Sequence, residues 1–297
     1  MGKIEQTKKY DNGTAYLMLS PIVILLTSFV AVPFVYAIYI SFYNWGFYQD
    51  SVFVGWRNFY LVLTDQLFWH SIVVGLKFAL YVIPLQMLLS FLFAHVIRAM
   101  GRRSSGIVKT SIYIPTVISG IIASIIFGFI YHYDGGIANY LIGLIGIEKI
   151  AWLNDVSTAL PSLAVPAIWL GFGISALIML AGLLDIPDSY YEAADMEGAN
   201  AFQKMIYITI PLMKNVILFL LVTGFAGALQ QLELPMIMTG GGPVNATLTP
   251  NLHIFNHFRN DVEMGYTIAA ALLMFVVLGS IAAFIFRILN SDKAIDG

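Results

Sequence analysis

Residues 191–211 read YEAADMEGANAFQKMIYITIP, from Tyr191 to Pro211. This partly polar, helix-forming stretch lies between two runs without a charge, Val156–Leu184 and Asn215–Leu232. Its punctuation predicts a helix, a turn and a second helix. Pro187 and Asp188 end the run before it, and Ser189-x-x-Glu192 has the form of a capping box that starts a new helix. Ala193 and Ala194 give that helix a face that another protein can approach closely. Gly198 marks a break where a left-handed residue is favoured. Asn200, with Gln203 three residues on, caps the next short helix, which Pro211 is expected to close.

The surrounding chain has 297 residues, of which 59% are hydrophobic and 11% charged, with a mean hydropathy of +0.81. Soluble domains carry about a quarter charged residues, so the solvent implied here is lipid. A formal net charge of -2 excludes nucleic-acid binding driven by bulk positive charge. With no cysteine there is no disulfide, thiolate metal site or cysteine nucleophile.

Six runs free of Asp, Glu, Lys and Arg are long enough to cross a bilayer: Ala15–Tyr43, Phe78–Ile97, Thr110–Tyr133, Val156–Leu184, Asn215–Leu232 and Met264–Phe286. A charge at the centre of a span costs about 2.5–3.5 kcal/mol on insertion, so gaps of this length carry meaning. With the N-terminus inside, the cytoplasmic segments hold 11 of the 15 basic residues, and Arg57, Lys77, Lys149 and Arg259 lie outside. That bias follows the positive-inside rule and puts both termini and residues 186–211 in the cytoplasm. The expected fold is an all-α membrane protein of six transmembrane helices (residues 15–290) with a cytoplasmic helix-turn-helix, flanked by tails 1–14 and 291–297.

The pattern of Glu192, Ala193, Ala194, Asp195, Glu197, Gly198, Ala199, Ile208 and Pro211 resembles the EAA loop of bacterial ABC-importer permeases. Glu197 departs from the more usual Asp, and Asn215 from a frequent second proline. In that family the loop is the mechanical contact with a separate ATPase. A second match, Thr239-Gly-Gly-Gly-Pro243 with Thr247 beyond it, resembles an external loop of the carbohydrate-uptake branch, maltose and glycerol-phosphate type. Gly265-Tyr266, Ser41–Trp45 and Gly55–Phe59 are similar to the same branch, so the likeness runs over most of the chain. Thr239, Gly241, Gly242 and Pro243 would then face the paired permease or a docked binding protein; the alternative is a flexible turn. A phosphate loop is excluded because no Gly-Lys-Ser/Thr follows the glycines.

The resemblance implies a bacterial inner-membrane location, a second homologous permease, two cytoplasmic ATP-binding subunits, an extracytoplasmic solute-binding protein and a sugar substrate. ATP and magnesium would sit on the ATPase, and no cofactor on this chain. Candidate pathway residues are Trp169 and Phe172 in the fourth span and Gln230, Gln231 and Glu233 at the outer end of the fifth. Aromatic faces and side-chain amides suit a sugar, and polar groups in spans often mark a path; helix–helix bonding and core packing are the competing roles. His253 and His257 share a helix face at i, i+4 but lack an evident third ligand, so no metal is expected and a solvated external helix accounts for them. No catalytic triad, HExxH or paired-carboxylate pattern is present. The alternative function is a stand-alone six-helix secondary carrier, which would require a midplane ion pair or broken, pseudo-symmetric halves.

Overall fold

The computed structural model describes residues 12–46, 51–260 and 264–289, and the expected tails fall almost wholly outside them. The first span joins α1 (Asn12–Leu26) and α2 (Val32–Ile40) through a π turn at Thr27–Ala31. Proline supplies no amide hydrogen, so Pro33 cannot bond back to the carbonyl of Phe29. Widening the turn ahead of it, with the Val32 amide donating to the Thr27 carbonyl, absorbs the fault. The chain then makes a two-residue antiparallel pair, Tyr43–Asn44 (β1) with Val52–Phe53 (β2), and a short helix α3 (Arg57–Thr64).

The second span is α4 (Gln66–Ala99), 34 residues long and so about 51 Å. It starts well ahead of the expected Phe78, because Asp65 caps it by accepting the Leu67 amide at 2.7 Å. Lys77 and His70 end the apolar run without ending the helix. An apolar layer is only about 30 Å thick, so part of α4 projects beyond it.

The third span corrects the sequence reading most. Thr110–Tyr133 is not one straight helix but α5 (Arg102–Val117) and α6 (Gly120–Ile130), meeting at 94°. Pro115 removes a donor from the last turn of α5, Ile118 turns extended, and Ser119 restarts the helix by accepting the Ile121 amide at 3.2 Å. After the short helix α7 (Ile137–Gly143), α8 (Ala159–Leu184) is the fourth span. Two short helices, α9 (Asp188–Met196) and α10 (Ala201–Lys204), lead through a π turn (Met205–Thr209) and α11 (Ile210–Leu212) into α12 (Lys214–Leu229). With α13 (Glu233–Met238), α12 forms the fifth span; α14 (Pro250–Asn260) lies outside it, and α15 (Gly265–Leu289) is the sixth. Counting the bent pair once, the described residues hold six segments long and apolar enough to cross a membrane.

Close approach holds α4, α5 and α8 together. Phe78 and Val82 of α4 pack on Leu163 and Ile168 of α8 at one end. At the other, Ala94 and Ile97 meet Ala176, Met179 and Leu183, joined by Ile112 of α5. Apolar side chains gain little by leaving lipid, so small residues and polar bonds must do the holding. The Ser90 hydroxyl donates to the Phe172 carbonyl at 3.2 Å, and Gln86 Nε2 donates to Ser175 Oγ at 2.9 Å. Gly173 is the tightest point among these three helices: a Cβ there would lie 1.8 Å from the Ile112 carbonyl oxygen. Gly173→Val is therefore expected to cost at least the about 1–3 kcal/mol of overpacking, seen as a lowered melting temperature of purified protein. Gly128→Val, whose Cβ would meet nothing within 4 Å, is expected to leave it unchanged.

Candidate functional site

At the end of the bundle where α4 finishes, α9 and α10 form an elbow. Pro187 is extended at ψ 135, and α9 begins immediately after it at Asp188 with no side-chain cap. The expected Ser189–Glu192 capping box is thus absent; Ser189 lies inside the first turn and Glu192 is exposed. The turn itself is as read. Gly198 takes φ +77, its amide donates to the Asp195 carbonyl at 3.0 Å, and the Ala199 amide to the Ala194 carbonyl at 2.9 Å. That pair of bonds is a Schellman closure. Asn200 and Gln203 then make a reciprocal capping box, with bonds of 2.9 and 2.8 Å. Pro211 does not close the second arm. The π turn before it accommodates the missing donor, and helix resumes at Lys214 after a kink at Met213.

The elbow is braced from behind. Arg98, in the last turn of α4, donates to Asp188 at 2.8 Å and lies 5.0 Å over the Tyr191 ring. Tyr191 Oη hydrogen-bonds Thr209 Oγ1 at 2.9 Å, and Lys204 pairs with Asp195. Of the predicted loop residues, Glu192, Ala193, Glu197 and Gly198 are exposed, Ala194 and Ala199 half-buried, and Asp195 is engaged by Lys204. Beside them stand apolar side chains with nothing over them: Met196 at 91% exposure, Tyr207 at 76% and Phe202 at 65%.

Within the spans, an open cleft of ≈ 270 Å³ lies between α4, α8 and α12 and is lined by Gln86, Gly171, Gly224, Gly227 and Gln231 among others. Gln231 is the one predicted pathway residue that lines it. Trp169 turns towards α6, its ring 5.7 Å from Phe127. Phe172 packs against Phe93 at 5.4 Å and joins both core clusters. Gln230 is exposed; its amide donates to the Ala226 carbonyl at 3.1 Å, and its own carbonyl accepts Asn251 at 2.7 Å. Glu233, at the start of α13, fills the space beside Gly120, where a Cβ would lie 1.8 Å from its carboxylate. Sequence reasoning missed Gln86. The signal was present, a lone amide inside a charge-free run, but a scan for charges passes over it.

At the opposite end, the glycine loop is held by hydrogen bonds within itself and to the fifth span. Gly240 and Gly241 take φ +62 and +90, and Val244 and Asn245 +48 and +61. Thr247 Oγ1 donates to the Gly242 carbonyl at 2.7 Å and bonds Thr239 Oγ1 at 2.7 Å. Thr249 Oγ1 donates to the Gln231 carbonyl at 2.6 Å, tying the loop to the mouth of the cleft. Nor is α14 simply a solvated helix: His253 is 2% exposed and faces Asp65 and Tyr266. Thr247→Val, which deletes both hydroxyl bonds, is expected to expose the loop to protease near Val244 several-fold faster; unchanged cleavage would show that these bonds do not hold it.

Residues 86–294 match the family described as binding-protein-dependent transport system inner membrane component. The chain is 30% identical over 283 residues to the sulfoquinovosyl glycerol transport system permease protein SmoG of Agrobacterium fabrum, covering 95% of this chain and 92% of that one. It is also 30% identical over 266 residues to the trehalose/maltose transport system permease protein MalF of Thermococcus litoralis, covering 89% of each. Among solved structures, a chain of a bacterial ABC transporter involved in the import of the acidic polysaccharide alginate superposes with a TM-score of 0.78 at 20% identity. The match covers 95% of this chain and 96% of that one, and the likeness is one of fold.

Proposed function

The chain belongs to the family of inner-membrane components of binding-protein-dependent transport systems, and from that premise we propose that its elbow is the lever by which a separate ATPase moves the spans, with a saccharide as cargo. It is a multi-pass permease subunit of an ABC importer, not an enzyme. Membership displaces the stand-alone carrier. ATP and magnesium belong to the partner ATPase in this reading, and residues 1–14 and 291–297 are cytoplasmic tails around the six-span domain. Two ATPases, a second permease and a solute-binding protein complete the assembly.

The observation that carries the lever is the contrast between the elbow's two sides. Met196, Phe202 and Tyr207 of the elbow are exposed, as are Glu192 and Ala193. Exposed apolar patches of this kind mark sites of protein contact. The elbow's inner side is fixed to the second span by Arg98 and to the fifth through Thr209. A push on α9 would thus reach two spans at once. The positive-inside bias supports a cytoplasmic elbow and cytoplasmic termini. The first span, apolar and exposed over most of its length apart from the end where Ile40 is buried and Phe34 meets Phe275 of the sixth span, offers the surface a paired permease would take.

The saccharide reading rests on two relatives, each matched over at least 89% of both chains, whose names specify sugar or sugar-glycerol transport, and on a cleft with two amides and no cation. Gln86 and Gln231 are the residues placed to exchange hydrogen bonds with sugar hydroxyls. A carbohydrate bound by the cognate binding protein, measured as a shift in its melting temperature, would name the solute.

Gly198→Val forces a β-branched residue into the left-handed region, a strain of about 1–3 kcal/mol, and Glu192→Lys reverses the charge of the exposed face. Both variants are expected to assemble in the membrane yet to lose most uptake, with ATP hydrolysis no longer stimulated by loaded binding protein. Normal uptake by both would overturn the lever. Gln231→Ala is expected to weaken uptake while leaving ATPase coupling in place.

A further inference from the structure

Three separate elements bring chemistry-bearing side chains together at the end of the bundle opposite the elbow. Asp65 precedes α4, His253 and His257 stand one turn apart on α14, and Tyr266 opens α15. His253 Nε2 lies 3.4 Å from Asp65 Oδ2 and 2.9 Å from Tyr266 Oη. The two histidine rings are 4.6 Å apart, and one donor atom each from Asp65, His253 and His257 falls within 4.8 Å of the others. The two histidines line a cavity of ≈ 150 Å³ together with Asn256 and Asn260.

We propose that Asp65, His253 and His257 form a binding site for a divalent first-row metal ion, zinc being the best match, which ties α14 to the starts of the second and sixth spans. Two imidazoles and one carboxylate are a zinc-type donor set, and three protein ligands leave a fourth position for water. Bonds of about 2.0–2.2 Å to zinc place tetrahedral ligand atoms about 3.3–3.6 Å apart. The Asp65–His253 spacing is already in that range, and rotation of half-buried His257 closes the remainder.

The carboxylate is oriented in advance, as metal ligands usually are. Asp65 Oδ1 accepts the Leu67 amide at 2.7 Å, and Oδ2 accepts the Tyr266 hydroxyl. Burial pushes its pKa up, but the Tyr266 and Leu67 bonds and the facing His253 outweigh this and hold it below the ordinary carboxylate value. A carboxylate and a buried imidazole held side by side, with a second imidazole one turn away and an open side, are the features that distinguish this group from surface histidines.

The test uses the assembled transporter, stripped with chelator and titrated with Zn²⁺ by equilibrium dialysis. The wild type is expected to bind one equivalent more per permease chain than His257→Ala, with an affinity that millimolar Mg²⁺ does not reduce. Asp65→Asn retains a helix-capping side chain and is expected to weaken that equivalent at least tenfold. Zinc should also raise the melting temperature of the wild type and not of His257→Ala, since a ligand of the folded state stabilises it. Identical zinc stoichiometry and affinity in wild type and both variants would overturn the site and leave a hydrogen-bonded Asp–His–Tyr cluster in its place.

Discussion

A bilayer supplies neither water for the backbone nor a hydrophobic drive between helices, so this protein depends on the close approach of α4 and α8. Gly173, Ser90 and Ser175 carry little side-chain bulk, and Gln86 and Ser90 supply the polar bonds. The same contact places both candidate sites. Where α4 ends, Arg98 reaches the elbow that follows α8; where the two helices open towards α12, the cleft lies between them. A change that separated α4 from α8 would therefore disturb the elbow and the cleft together.

Force applied at the elbow has a continuous covalent and polar route. It would pass from α9 through Arg98 into the second span, and through Tyr191 and Thr209 into the second arm and the fifth span. Exposed ion pairs contribute little to stability, about 0–1 kcal/mol, and Asp188 is largely exposed. The significance of Arg98 is thus positional: it fixes the angle between α9 and α4. The π turn ahead of Pro211 interrupts an otherwise helical arm, a feature that often falls at functional sites.

Much of this was legible in the residues. Missing charge marks spans because lipid penalises charge, and Gly198 and Asn200 speak through local backbone rules that hold in any fold. The Ser189 box failed because Pro187 already fixes the chain extended and lets the helix begin at Asp188. The break in the third span escaped because Ile118, Ser119 and Gly120 are as uncharged as their neighbours, and only Pro115 and Ser119 hinted at it. Trp169 and Phe172 have the right chemistry for a pathway, but which way a side chain on a buried helix faces is decided by its neighbours. The pairing of Asp65 with His253 lies beyond any local pattern, because it is made by chain segments far apart in sequence.

The central claim is that a foreign ATPase bears directly on the outer side of the elbow. The protein has no cysteine, so Ala193→Cys gives a single thiol on that side for a short bifunctional cross-linker. In membranes that support uptake, the expected product is an adduct of this chain with the ATP-hydrolysing subunit, whose yield changes when ATP is trapped. Full uptake with no such adduct from position 193 would contradict the account.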